Sequence, residues 1–227
     1  LPVYLLNDSN IFPPVHHAEE GILAVGGDLS PERLIAAYSS GVFPWFSDDE
    51  PIIWWAPDPR FVLFPKQLKV SKSMKQLLKQ NQFAVTFDTQ FNAVIQACAN
   101  QNRPGQAGTW ITKEMLKAYK KLHKMGLSHS VEVWKENKLV GGLYGVSLGK
   151  AFFGESMFFN ESNASKFGFI HLVEFLMLHH FEFIDCQIET EHLKSLGANF
   201  IPRANFMNLL EQALLQPTLQ GNWTQLK

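Results

Sequence analysis

A chain of 227 residues is long enough for one well-packed core with a small satellite unit. At 46% apolar and 18% charged it is globular rather than disordered, and its net charge of −1 excludes nucleic-acid binding by overall charge, so any such contact needs a local basic face. The 19 Phe and 6 Trp exceed ordinary packing needs and point to apolar or stacking pockets. Cys98 and Cys186 lie in apolar runs, as expected of buried thiols in a reducing compartment. Leu1 to Leu6 lacks the basic flank of a signal peptide, and the apolar stretch Phe167 to Leu178 is broken by His171 and Glu174. A cytoplasmic location with no membrane contact is therefore expected.

Residues 1–60 are rich in Pro and Gly around one short helix. Ser30-Pro31 supplies an N-cap and a first-turn proline, Leu34, Ile35, Ala37 and Tyr38 an apolar face, and Gly41 a stop. Trp45 follows Pro44 at an irregular turn, where an indole can serve as a stacking surface. Trp54 and Trp55, between prolines, read as plugs of a small N-terminal domain against a larger one. That larger domain is expected over residues 61–227. It opens with the strand Phe61 to Phe64 and a basic segment from Lys66 to Lys79 that ends in a helix and carries Lys72 and Lys75. Such a segment is either a solvated helix face or a contact for a few phosphates.

Asp88 is expected to cap a helix whose buried stripe is Phe91, Val94, Ile95 and Cys98. The polar loop Asn100–Thr109 reads as mobile. Trp110 then stands just before a helix capped by Thr112, with Met115, Leu116, Tyr119, Leu122 and His123 on one face. An antiparallel meander follows through Ser130–Trp134, Leu139–Ser147 and the strand around Phe152-Phe153-Gly154-Glu155-Ser156-Met157-Phe158, with glycines where a backbone or ligand must pass closely. Next come a helix over 164–180, a strand over 181–188, a short helix, a last amphipathic helix to about Leu215, and a tail that looks frayed.

Two features carry chemistry. Burying an ionised glutamate costs several kcal/mol (roughly) unless it is paired or used, so Glu155 is either a bulge residue in solvent or a working group. Strand alternation puts Asp185 and Gln187 on one face with Phe183, where they need partners. Glu155 is the obvious one. The bland alternative is a buried polar network that fixes strand register. The eight histidines show no metal-ligand spacing, and neither a Walker loop nor a nucleophile elbow is present.

The order of elements resembles the acyl-CoA N-acetyltransferase architecture, in which a cleft opens between two splayed strands; the expected class is α+β, with a mainly antiparallel sheet flanked by helices. The Gly-rich pyrophosphate loop of that family is missing: the stretch before the long helix is Asn160-Glu161-Ser162-Asn163-Ala164-Ser165-Lys166. More specific are Gly26-Gly27-Asp28-Leu29-Ser30-Pro31, Phe43-Pro44-Trp45-Phe46, Trp54-Trp55-Ala56-Pro57-Asp58-Pro59-Arg60, Gly108-Thr109-Trp110-Ile111-Thr112, Gly141-Gly142-Leu143-Tyr144-Gly145, Phe153-Gly154-Glu155-Ser156-Met157-Phe158 and Ile184-Asp185-Cys186-Gln187. Together they resemble the bacterial leucyl/phenylalanyl-tRNA protein transferase family over nearly the whole chain.

That resemblance implies transfer of Leu or Phe, with Met a further candidate, from charged tRNA to the N-terminal Arg or Lys of a protein, which is thereby marked for degradation. No cofactor or metal is implied, and a monomer is expected. Trp45 and Trp110 would hold the 3′-terminal adenosine by stacking. Leu143, Phe152 and Ser156 would line the pocket for the esterified amino acid, and Glu155 would hydrogen-bond its amino group. Asp185 would hold Gln187 against the reacting centre, and Lys72 and Lys75 would contact the tRNA. Two other readings stand beside this one: a non-catalytic binder of tRNA 3′ ends, and an N-acetyltransferase.

Overall fold

A computed structural model describes residues 3–80, 82–101 and 110–226. The chain begins with β1 (Tyr4–Leu6), β2 (Ile22–Gly26), α1 (Pro31–Ser39), β3 (Phe43–Pro44) and β4 (Ile53–Trp55). These strands form a small sheet in the order β1-β2-β4-β3. The helix starts where its cap residue predicts: the Ser30 hydroxyl accepts the Arg33 N–H, and Pro31 occupies the first turn, where no amide donor is needed. Trp54 is fully buried and its indole N–H donates to the Gly26 carbonyl at 2.8 Å.

The rest of the chain runs β5 (Arg60–Leu63), α2 (Lys72–Leu78), β6 (Ala84–Phe87), α3 (Phe91–Asn100), α4 (Lys113–Lys124), β7 (Ser128–Lys135), β8 (Lys138–Leu148) and β9 (Ala151–Phe159). It continues through α5 (Ala164–Leu178), β10 (Phe183–Gln187), α6 (Glu191–Ser195), β11 (Asn199–Ile201) and α7 (Arg203–Leu214). The strands make a seven-stranded sheet in the order β11-β5-β10-β9-β8-β7-β6. Its neighbours are antiparallel except β9 and β10, which run parallel. The protein is thus mixed α and β, with two sheets among the described residues.

The expected meander is present, and Glu136 and Asn137 turn between β7 and β8 with φ of 49° and 60°. Its glycines admit close packing: a Cβ at Gly145 would collide with the Phe153 carbonyl and the Phe152 ring. Pleating sends Leu143 of β8 to one face of the sheet and Tyr144 to the other. On the Leu143 side lies α5, buried nearly all round through Phe167, Phe169, Ile170, Leu172 and Leu176. On the Tyr144 side lie α1, α3, α4 and the small sheet: Leu34 of α1 and Leu23 and Trp54 of the sheet join Val94, Tyr144 and Phe153 in one continuous cluster.

Two local expectations are overturned, and one strand is added. Asp88 does not cap α3, whose N-cap position is Gln90 and carries no side-chain cap. It is buried instead, with φ 56°, and its carboxylate accepts the Ser130 and Trp223 backbone N–H groups and the His129 Nδ1–H at 2.8–2.9 Å. The strand β6 before it was not foreseen, because Ala84-Val85-Thr86-Phe87 is too short for a clear period of two. Nor does the tail fray: Trp223 is 1% exposed, and its ring stacks on His129 with centroids 3.7 Å apart. A lone aromatic near the terminus gives no periodic signal, so this docking was invisible in the sequence. The loop read as mobile lies outside the described residues from 102 to 109.

Candidate active site

Strands β9 and β10 pair only over Ala151–Phe153 and Phe183–Asp185. Beyond these residues they part, leaving a cavity of about 530 Å³ lined by Gly154 to Met157 on one side and Ile184, Cys186 and Gln187 on the other. Parting strands expose main chain and side chains together in one concave space. Leu143, Phe152, Phe169, Leu172 and Ile184 supply an apolar lining. The half-buried Trp45 and Trp110 add indole surface; Trp45 is braced by Trp55, whose indole N–H donates to the Trp45 carbonyl at 2.7 Å.

Glu155 is the inserted residue of a β-bulge, because the β8–β9 register slips between Tyr144↔Ser156 and Gly145↔Gly154. The bulge that might have sent its carboxylate into solvent instead aims it at a polar cluster. Oε1 accepts the Tyr38 hydroxyl at 2.7 Å and Gln187 Nε2 at 3.0 Å, and Oε2 accepts the Tyr119 hydroxyl at 2.7 Å. Burial pushes the Glu155 carboxyl up to about 7; the Tyr119 and Tyr38 hydroxyls and the Gln187 amide pull the other way, and Asp185 adds to the rise. A half-buried carboxyl that changes charge near neutral pH, at the polar end of an apolar cavity, suits recognition of an amine.

The strict alternation expected along β10 fails at its end. The β10–β5 register slips between Asp185 and Gln187, and Gln187 takes a left-handed φ of 63°. Gln187 therefore joins Ile184 and Cys186 on the cavity, while Asp185 is fully buried away from it. Asp185 does hold Gln187, but through the main chain: its Oδ1 accepts the Gln187 backbone N–H at 3.0 Å. The same carboxylate is gripped by Arg60, with Nε to Oδ1 at 2.8 Å and Nη2 to Oδ2 at 2.7 Å. With the Gln187 amide nitrogen donating to Glu155, the amide oxygen is the group left to accept a proton-bearing nitrogen.

Of the residues singled out from the sequence, Trp45, Trp110, Leu143, Phe152, Glu155, Ser156 and Gln187 all line this one cavity. Asp185 backs it. Lys72 and Lys75 do not line it; they are exposed on α2, behind which the Lys69 N–H ties to the Leu196 carbonyl at 2.8 Å, next to the helix that brings His192 and Leu193 to the cavity. Sequence reasoning missed Tyr38, Tyr119 and Arg60. Both tyrosines had been placed on the apolar faces of their helices, and only the hydroxyl of a Tyr in such a stripe hints at a buried polar partner. Burial pushes the Cys186 thiol up, with Asp185 adding to it, so this cavity cysteine is no thiolate nucleophile at neutral pH.

The comparisons with known proteins converge. A family model described as leucyl/phenylalanyl-tRNA protein transferase matches residues 62–211, and a model of that protein's N-terminal domain matches residues 27–58. A leucyl/phenylalanyl-tRNA protein transferase of Syntrophus aciditrophicus is 57% identical over 99% of this chain and 94% of its own. Proteins of the same name from Desulfatibacillum aliphaticivorans and Myxococcus xanthus are 56% and 51% identical, each over 99% of this chain and 97% of their own.

Proposed function

The chain belongs to the leucyl/phenylalanyl-tRNA protein transferase family, and from that premise we propose that the cavity between β9 and β10 receives the aminoacyl end of Leu-tRNA or Phe-tRNA. The protein is an aminoacyltransferase that moves an amino acid from tRNA to a protein. In this reading Trp45 and Trp110 stack the terminal adenine, and Leu143 and Phe152 take the Leu or Phe side chain. Ser156 borders the bound ester, and Glu155 binds the donor's amino group. Gln187 accepts a hydrogen bond from the attacking amine of a protein that begins with Arg or Lys. Lys72 and Lys75 meet the tRNA backbone outside the cavity. The 1–60 segment acts as a small N-terminal domain that supplies Trp45 and Tyr38 to a catalytic domain over 61–227. The splay of parallel β9 and β10 favours an acetyltransferase-like class for that larger unit. The same reading has the protein work as a cytoplasmic monomer.

The observation that carries the reading is the 3.0 Å contact between Gln187 Nε2 and Glu155 Oε1. It places two groups suited to two different amines side by side at the polar end of an otherwise apolar cavity. An aminoacyl ester is already activated. The amine attacks the ester carbonyl, a C–N bond forms, the C–O bond to the ribose breaks, and the ribose oxygen leaves as a hydroxyl with a proton that began on the amine. The acceptor α-amine, with an ordinary pKa of roughly 7.7–8.0, is partly neutral at physiological pH. Positioning can then supply much of the rate. A Gln amide is too weak a base to take that proton outright, so its part is to orient the amine.

The test is transfer of labelled Phe from Phe-tRNA, without ATP, to a peptide beginning with Arg beside one beginning with Ala. Transfer to the Arg peptide alone is expected. Charged tRNA that binds and transfers to neither peptide would leave a tRNA-end binder, and transfer to both would refute the acceptor specificity.

A further inference from the structure

Gln187 holds a backbone conformation that an unbranched L residue does not adopt for free. A left-handed φ of 63° at the end of a strand costs about 1 kcal/mol or more and persists only where surrounding structure imposes it. Two main-chain restraints are visible: Asp185 Oδ1 accepts the Gln187 N–H at 3.0 Å, and the Ile188 N–H donates across the turn to the Cys186 carbonyl at 2.7 Å. Of these, the Asp185 contact is the one that a side chain sets. A carboxylate with no exposure cannot keep its charge or its rotamer without a partner. That partner is Arg60, which meets both oxygens in the two-point geometry a guanidinium alone provides.

Arg60 is itself fixed from two further directions. Its guanidinium carbon lies 4.7 Å from the Phe43 ring centroid and 4.6 Å from that of Phe206. Phe43 belongs to β3 of the small sheet and also lines the cavity; Phe206 belongs to α7. A single side chain therefore joins β5, β10, the small sheet and the last helix at a point two residues before Gln187. Such a buried ion pair is weak evidence for stability, since two well-packed apolar residues often serve as well. Its geometric demand, however, is strict.

We propose that Arg60 is a positioning residue of the transfer reaction: through Asp185 it sets the left-handed main chain of Gln187 and so aims the Gln187 amide at the reacting centre. Asp185 then acts as a holder and not as a base or relay, because it meets Gln187 at the backbone N–H and is itself held by Arg60 on both oxygens. The inference rests on the role given to Gln187 above, and the test separates the two.

The variants are Arg60→Lys, Gln187→Ala and their combination, assayed for kcat and KM of Phe transfer from Phe-tRNA to an Arg-initiated peptide. Lysine keeps the charge and loses the fork. Misplacing a reacting group by about 1 Å costs on the order of 100-fold in rate, so Arg60→Lys is expected to lower kcat by that order with KM for Phe-tRNA nearly unchanged. In the Gln187→Ala background the same substitution is expected to change kcat by less than about threefold, because the group it aims is gone. An undiminished loss in that background would show that Arg60 acts by another route and would overturn the proposal. A Gln187→Ala enzyme with unimpaired kcat would instead remove the role of Gln187, and the proposal with it.

Should Arg60→Lys fail to fold, the paired replacement Arg60→Met with Asp185→Leu removes both charges and fills their space. That protein is expected to melt cooperatively near the wild type while its kcat falls on the order of 100-fold. A folded, fully active double variant would also overturn the proposal.

Discussion

Replacing Glu155 by glutamine changes one atom and removes one titration. In the wild type the carboxylate accepts two tyrosine hydroxyls and the Gln187 amide, and its carboxyl is pushed up to about 7. It is therefore mostly neutral in mildly acidic solution and anionic above neutrality. A hydrogen bond to a charged group is worth about 1.5–3 kcal/mol, so losing the anion is expected to lower kcat/KM for Phe-tRNA roughly 10- to 150-fold at about pH 8. At about pH 5.5 the wild type has itself lost the anion, and the two enzymes should differ by no more than roughly threefold. The part of the wild-type acid limb that titrates at about 7 should vanish in Glu155→Gln, leaving the rise set by the acceptor amine at roughly 7.7–8.0.

Stability reads the same group with the opposite sign. The folded-state value lies above the ordinary glutamate value, so the contribution of Glu155 to stability is fully present below roughly pH 4 and is lost as pH rises through about 7. Glu155→Gln cannot ionise. Its Tm relative to wild type should therefore climb from roughly pH 4.5 to about pH 7 and level off above that. The assays are transfer rates at subsaturating Phe-tRNA and thermal melts in matched buffers. An acid limb in Glu155→Gln that still titrates at about 7, or a Tm difference that does not move with pH, would refute the assignment of the near-neutral titration to this carboxyl.

Trp110→Ala is expected to raise KM for Phe-tRNA by about 5- to 150-fold, the equivalent of one lost base stack, and Trp110→Phe to restore most of it; equal damage from both would argue against stacking. Lys72→Ala and Lys75→Ala should each weaken tRNA binding and flatten the slope of log affinity against log salt by about 1, with the transfer step from bound tRNA unchanged. Trp223→Ala should cost about 3–5 kcal/mol in urea unfolding, because it empties a buried site stacked on His129, although the main-chain N–H to Asp88 survives the substitution. A loss below about 1 kcal/mol would return the tail to the surface.

Much of the fold was legible because it is written in local signals. Ser30 and Thr112 each accept the N–H three residues on, and the helices start there; Ser71 caps α2 in the same way, though its sequence context drew no such reading. The glycine-bearing meander from β7 to β9 announced its turns. Asp88 shows the limit of such signals: a carboxylate shortly before an apolar stripe has the pattern of a cap, yet three long-range donors claimed it. The site was half legible. Glu155 and Gln187 stood out as polar residues in apolar strands, and their contact followed. The bulges at Glu155 and before Gln187 broke the period of two on which the placement of Asp185 depended. Tyr38, Tyr119 and Arg60 come to the site from 117, 36 and 125 residues away from their carboxylate partners, distances that no local pattern spans.

The most direct test of the site is a crystal structure with a hydrolysis-resistant amide analogue of phenylalanyl-adenosine. The expected pose has adenine against Trp110 and Trp45, the phenyl ring among Leu143 and Phe152, and the analogue's amino group within hydrogen-bond distance of Glu155. A ligand seated outside the space between β9 and β10, or one whose amino group points away from Glu155, would contradict the account.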